Sequence, residues 1–406
     1  MQELQRGIID LVGACLTKGK AKIGPDFNWY AAYEIGRKHD IIPMIFYGAA
    51  ESGIQIPEDV RREFRLVTIQ CIMLDRNQQA EIEKIEKSFE ERGIDYLPIK
   101  GVAMKPRYPR SEVRTMGDAD ILIREEQYTD IREVMNELGF IENNANSMGT
   151  PSLFEDKEGD HAFVWDKPGL LHLELHRRLM PSENINYYSY FCNAWKLSEK
   201  AEGNRYIMRP ENEFVYLFVH YAKHYQASGV GIRQIVDLFV HIQTSPNLNF
   251  QYIETELGKI GLYTFYKNTR ETIKVWFEHA EDTEMTDYLT DRIFKNGTFG
   301  TSDTQILSRT VKDTVNEKPE LVKWHKRIQL IFPSAKALSK NYPILKRFKL
   351  LLPFVWVHRW MKVLLFKRGN IQRNFDRIDS LTAENIRRYQ AELKYVGLNL
   401  NYDIKE

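Results

Sequence analysis

Apolar and polar positions along this chain follow two periods, and the switch between them divides it. Over residues 60–92 apolar side chains recur at mixed three and four spacing among good helix formers, with no Pro or Gly, which predicts one long amphipathic helix closed by Gly93. Residues 1–93 as a whole read as a helical N-terminal region. A short apolar run at 94–99 then predicts a buried strand leading into Lys100-Gly101. Residues 118–123 predict a second strand and 125–139 a helix ending in glycine. A weaker strand at 162–165 precedes a turn at Lys167-Pro168-Gly169. The run Leu171-His172-Leu173-Glu174-Leu175-His176 alternates throughout, with leucines on one face and His172, Glu174 and His176 on the other. Turn plus alternation predicts a hairpin beside the earlier strands.

These pieces make residues 94–200 a small α/β domain. The helical period returns at 213–225 and 232–242 and continues through 252–279, giving a helical region over 201–300. Residues 296–304 have turn chemistry and read as a loop. The last region, 301–406, differs in charge. Between 323 and 377 stand fourteen Lys or Arg against one acid, Asp376, with aromatics threaded through and Pro333, Pro343 and Pro353 breaking it into short helices.

At 406 residues, 43% hydrophobic and 28% charged, the chain is an ordinary globular protein of two or three domains. The net charge of +1 favours no partner, but it conceals a remainder about twelve units negative beside the basic segment. That segment is expected first to dock on the acidic remainder, second to meet an anionic membrane surface or an acidic partner through 323–377, and third to bind nucleic acid. Cys15, Cys71 and Cys192 show no paired spacing and read as reduced, buried thiols. The N-terminus lacks a secretory pattern and no apolar run is long enough to span a bilayer, so a cytoplasmic location is expected.

The chemistry concentrates at Asp118-Ala119-Asp120. In a strand these carboxylates share a face, where two anions repel unless a cation lies between them, and a hard divalent ion with oxygen ligands meets that need. Glu174, on the polar face of its own strand, is the candidate third acid, as metal ligand or as base. Lys100 and Gly101 would offer backbone N–H groups and a cation to phosphates, with Arg114 and, further off, Arg107 and Arg110 as added cations. His172 and His176 flank Glu174 and either contact phosphate, orient the acid, or are plain strand residues. His220 and His224 have the spacing of a two-histidine zinc face, but Tyr221 stands where a zinc protease needs glutamate, so a packed or substrate-facing pair is expected. Arg233 and Asp237 read as an i,i+4 ion pair, or Asp237 joins His220 and His224 in lining an acceptor cleft.

The motifs Leu97-Pro98-Ile99-Lys100-Gly101, Arg114 and Gly117-Asp118-Ala119-Asp120-Ile121-Leu122-Ile123 resemble the uncharacterised nucleotidyltransferase-like family of the DNA polymerase β-type nucleotidyltransferase superfamily. The resemblance extends to His172-Leu173-Glu174-Leu175-His176, to His220-Tyr221-Ala222-Lys223-His224 and to residues 232–238, and so spans nearly the whole chain. It implies an α+β fold, with a small mixed-sheet catalytic domain flanked by helical N-terminal and C-terminal regions. It further implies transfer of a nucleoside monophosphate from a nucleoside triphosphate to a hydroxyl-type acceptor, with Mg2+ or Mn2+ and release of pyrophosphate. Two aspartates and a third acid would be the metal ligands. The acceptor is left open among small molecule, protein and RNA. The superfamily usually has Gly-Gly or Gly-Ser where this chain has Lys100-Gly101, and the alternative is an inactive nucleotide-binding or scaffold protein.

Overall fold

The computed structural model describes residues 1–143, 162–181, 185–227, 229–296, 324–325, 327–329, 331–339, 342, 344–366 and 382–398. Three helices, α1 (Glu3–Thr17), α2 (Trp29–His39) and α3 (Ile42–Ser52), precede the long α4 (Glu58–Glu91). The Asn28 side chain caps α2 by accepting from the Ala31 N–H at 3.0 Å. Helix α4 stops where its pattern predicts. Gly93, at φ +66°, turns the chain so that the Ile94 N–H donates to the Phe89 carbonyl at 2.9 Å.

Strand β1 (Tyr96–Ile99) runs directly into α5 (Lys100–Met104); β2 (Ala119–Ile123), α6 (Tyr128–Glu137), β3 (Ile141–Glu142), β4 (Ala162–Lys167) and β5 (Leu171–His176) follow. The strands form one mixed sheet in the order β1-β2-β5-β4-β3, with β2 and β5 parallel and the other pairs antiparallel. The fold is therefore α+β.

Alternation assigns each sheet face. Ala119, Ile121 and Ile123 of β2 and Leu171, Leu173 and Leu175 of β5 bury against Ile82, Ile85 and Phe89 of α4 and against Ile131, Val134 and Met135 of α6. Each of the larger side chains contributes about 1.5–3 kcal/mol by leaving water. On the opposite face Leu97, Ile99 and Leu122 enter a second, larger core. Helix α4, about 50 Å long, serves both: its first half, with Val60 and Phe64, belongs to the larger one.

After β5 come α7 (Ile185–Phe191) and a small hairpin of β6 (Ser198–Lys200) and β7 (Tyr206–Met208). Helices α8 (Pro210–Ala227), α9 (Ile232–Thr244), α10 (Phe250–Lys259), α11 (Tyr263–Phe277) and α12 (Glu284–Asn296) then pack with α1–α3 in the larger core. Further on lie α13 (Ala335–Leu338), α14 (Ile344–Arg347), α15 (Leu352–Phe366) and α16 (Ala383–Tyr395). Helix α16 rejoins the main body through Tyr389 and Leu393, and its Glu392 pairs with Arg292 at 2.8 Å. Leu338, Leu345 and Val355 form a small separate core for α13–α15. Pro353 does not break a helix but sits in the first turn of α15, where a missing N–H costs nothing. The loop expected at 296–304 lies outside the described residues beyond Asn296. The three cysteines are free, but only Cys15 is buried; Cys71 is half-buried and Cys192 exposed.

The segment between β1 and β2 is pinned by three cations, each on an acid from a different helix. Lys105 pairs with Asp75 of α4, which also accepts from Ser111 at 2.6 Å. Arg107 pairs with Glu213 of α8. Arg114 grips Asp237 of α9 with two hydrogen bonds, Nε to Oδ1 at 3.1 Å and Nη2 to Oδ2 at 2.9 Å, and the Tyr108 hydroxyl donates to Asp237 Oδ1 at 2.7 Å. Asp237 is thus held by Arg114 rather than by Arg233, whose Nη1 instead donates to the Thr115 carbonyl at 3.1 Å.

Two outcomes follow from these contacts. Asp237→Ala would leave the Arg114 guanidinium buried without its partner, so urea unfolding should show a loss of about 3–5 kcal/mol; a loss under about 1 kcal/mol would show that the pair does not hold the segment. At the joint of α2, α9 and α12, His39 accepts from the Ile232 N–H on Nδ1 (3.2 Å), so its Nε2–H donates to the Phe294 carbonyl (3.2 Å). Burial, which disfavours the charged imidazolium, pushes its pKa down from 6.5 to about 4, with Lys38 adding to the fall and the Phe294 carbonyl opposing it. The unfolded chain therefore takes up a proton that the folded one refuses, and stability falls as pH drops below 6.5. From His39 alone the loss at pH 5 relative to pH 7 is about 2 kcal/mol. His39→Gln keeps both hydrogen bonds without titrating and should flatten that slope; an unchanged slope would contradict the assignment.

Candidate active site

The polar face of the sheet gathers its charges at one point. The parallel register of β2 and β5 places Asp120 directly opposite Glu174, while the antiparallel register of β1 and β2 sets Asp120 opposite Ile99, the residue before Lys100. Asp120 is 2% exposed. Its Oδ1 lies 2.6 Å from Lys100 Nζ and 2.7 Å from His176 Nε2, and the same imidazole nitrogen stands 3.2 Å from Glu174 Oε2. An ionised carboxylate only accepts, so His176 Nε2 carries the hydrogen.

The electrostatics follow from these contacts. Burial works against charge on Asp120, but Lys100 and His176 outweigh it and hold the carboxyl below the usual carboxylate range. Burial likewise opposes the Lys100 ammonium, and Asp120 more than offsets it, keeping the lysine charged. The His176 hydrogen bond holds Glu174 below its ordinary value against burial. Asp118, just before β2, goes the other way: burial and then the charge of Asp120 raise its pKa, with Glu174 adding to the rise and Lys100 opposing it.

Local backbone geometry aims Lys100. It opens α5 with φ +47°, a left-handed conformation that costs a residue bearing a Cβ about 1–2 kcal/mol. Gly101 lets the turn pack closely, since a Cβ there would sit 2.8 Å from Met116 Sδ and 3.2 Å from Arg114 Nη1, and those side chains would have to shift to admit it. Arg114 therefore borders the turn while remaining tied to Asp237.

Helix α8 supplies a stripe that answers these charges. Tyr216, His220 and His224 recur every four residues on one face. The Tyr216 and His220 rings lie 6.4 Å apart and the His220 and His224 rings 4.4 Å apart, edge to face. Burial, then His224 and Lys100, keep the His220 pKa well below 6.5; burial, then Lys223 and Lys100, push that of His224 down to about 3. Both imidazoles are neutral near pH 7. Tyr216 carries no local mark in the sequence beyond its spacing from His220. Its buried hydroxyl has no hydrogen-bond partner among the described residues, yet the charges of Lys100, Asp120, Glu174 and Asp118 all bear on it.

Lys100, Gly101, Asp118, Asp120, Glu174, His176, His220 and His224 thus converge. Other predicted residues are engaged elsewhere. His172 Nδ1 meets Asp166 at 2.5 Å, Asp237 holds Arg114, Arg107 holds Glu213, and Arg110 lies over the Tyr47 ring. Asp120, Glu174 and His176 each offer one ligand atom, all within 4.8 Å of one another. Two carboxylate oxygens and an imidazole nitrogen fit a divalent cation of the Mg2+ or Mn2+ type, the nitrogen suiting Mn2+ better once the His176 hydrogen shifts from Nε2 to Nδ1. Asp118 stands outside that tight group.

A family model described as an uncharacterised nucleotidyltransferase matches residues 25–278, which include every residue of this cluster and more than half of the chain. No curated protein and no solved structure matches. The protein belongs to the uncharacterised nucleotidyltransferase family.

Proposed function

We propose that the cluster transfers a nucleoside monophosphate from a nucleoside triphosphate to a hydroxyl-bearing acceptor. The observation that carries this reading is the placement of Asp120 opposite Glu174 on parallel strands, with the Lys100 ammonium between β1 and the acid pair. In the reaction the acceptor O–H gives up its proton, its oxygen bonds the α-phosphorus, and the bond to the β-phosphate breaks to release pyrophosphate. Catalysis of this kind is mostly positioning and charge neutralisation.

Asp120 and Glu174, with His176 or Asp118 completing the set, would hold the divalent cation. When bound, that ion neutralises triphosphate oxygens. Lys100 and the Gly101 backbone are suited to the phosphates, the lysine by its retained charge. Glu174, 27% exposed at its side chain where Asp120 is buried, is placed to reach an acceptor and take its proton. The uncharged His220 and His224 can accept hydrogen bonds from that acceptor without repelling Lys100, and the Tyr216 hydroxyl has a hydrogen left to donate.

A second reading rests on the same ion pair. Lys100 already neutralises Asp120, so the acids are satisfied without a metal and the fold can act as a nucleotide-binding module. Turnover separates the two. With Mg2+ or Mn2+ and each of the four triphosphates, Asp120→Asn and Glu174→Gln should lower pyrophosphate release by more than the roughly 10–100-fold that loss of an outer-shell partner costs. Release that is equal in wild type and both variants would remove the cluster from the reaction. Tight binding of triphosphate without release would favour the module.

Lys100→Met gives an independent check. With the ammonium gone, nucleotide-free protein should bind Mn2+ more tightly, while triphosphate binding weakens. Mn2+ affinity that is unchanged or lower would show that lysine and metal do not compete for Asp120.

A further inference from the structure

We propose that the basic segment built on α15 seats the protein on the surface of an anionic phospholipid bilayer. Phe354, Val357 and Met361 lie at i, i+3 and i+7 on α15, along one face, and are 73%, 60% and 59% exposed. Leu350, in the turn that enters the helix, is 92% exposed and extends the same apolar edge. This edge is separate from the core that holds the unit together, because Val355 on α15 packs with Leu338 and Leu345. The Trp356 and Trp360 indoles donate to the Pro333 and Ile331 carbonyls at 2.8 and 3.0 Å, fixing α15 with its other side inward. The apolar edge is thus presented by a built frame.

Charge selects what covers it. Residues 323–377 carry fourteen Lys or Arg and one acid, and Arg347 and Lys349 beside the apolar edge are exposed. A purely acidic surface would satisfy the cations but leave Leu350 and Met361 in water. A nucleic acid would likewise give Val357 and Leu350 nothing to pack against. The boundary of an anionic bilayer takes both, apolar side chains entering between headgroups while Lys and Arg meet lipid phosphates. Among the described residues no helix is long and apolar enough to cross a membrane.

The test is co-sedimentation of the full chain with vesicles of phosphatidylcholine alone and of phosphatidylcholine mixed with phosphatidylglycerol. Binding should appear with the anionic vesicles, be at least tenfold weaker with the neutral ones, and weaken with salt. Two sets of substitutions at exposed positions, Leu350→Glu with Phe354→Glu and Met361→Glu, and Arg347→Glu with Lys349→Glu, should each reduce binding at least tenfold while thermal unfolding of the main body stays unchanged. No sedimentation with anionic vesicles would overturn the proposal. So would equal binding to both vesicle types, or binding that the apolar set leaves intact. Loss of self-association in the apolar set, with no vesicle binding by the wild type, would assign the edge to a second copy instead.

Discussion

One carboxylate oxygen, Oδ1 of Asp120, carries the organisation of this protein. It accepts from Lys100 at the end of one neighbouring strand and from His176 on the other, so three strands meet at a single buried atom. The parallel register of β2 and β5 makes this necessary. It sets Asp120 and Glu174 side by side on one sheet face, where their repulsion would oppose the very pairing that creates it. The ammonium and the imidazole N–H resolve that conflict without breaking the strand pairing.

Around this point the protein maintains local costs of the kind that cluster at functional sites. Lys100 is held in a left-handed backbone conformation, burial and the charge of Asp120 raise the pKa of Asp118, and the Tyr216 hydroxyl is buried without a hydrogen-bond partner among the described residues. The segment bearing Lys100 is in turn fixed by Asp75, Glu213 and Asp237, one from each of three helices. A turn anchored this way holds its N–H groups and the Lys100 ammonium in a fixed place.

Local features were legible from the chain itself. Helix α4, its stop at Gly93 and the two faces of β5 follow from periodicity and from a glycine able to take positive φ, and these already put Asp120 and Glu174 on polar faces of strands. Long-range pairing was not legible. Arg114 and Asp237 are 123 positions apart, and neither spacing nor residue type shows that they hold each other. The i,i+4 spacing of Arg233 and Asp237 favoured a local ion pair, which loses to a two-point guanidinium contact plus the Tyr108 hydroxyl. Tyr216 is hidden because an aromatic residue on an apolar helix usually means core. His176 was visible as a neighbour of Glu174, but its position between two carboxylates depends on the parallel register, which needs a crossover that no short motif encodes.

The cluster's capacity to hold a divalent ion can be read directly by titrating the full chain with Mn2+ and following bound ion by electron paramagnetic resonance. One bound Mn2+ per chain is expected, with nitrogen coupling from His176 that vanishes in His176→Gln, and with binding lost in Asp120→Asn. Equal Mn2+ binding by wild type and Asp120→Asn would contradict the assignment of this buried carboxylate as the centre of the site.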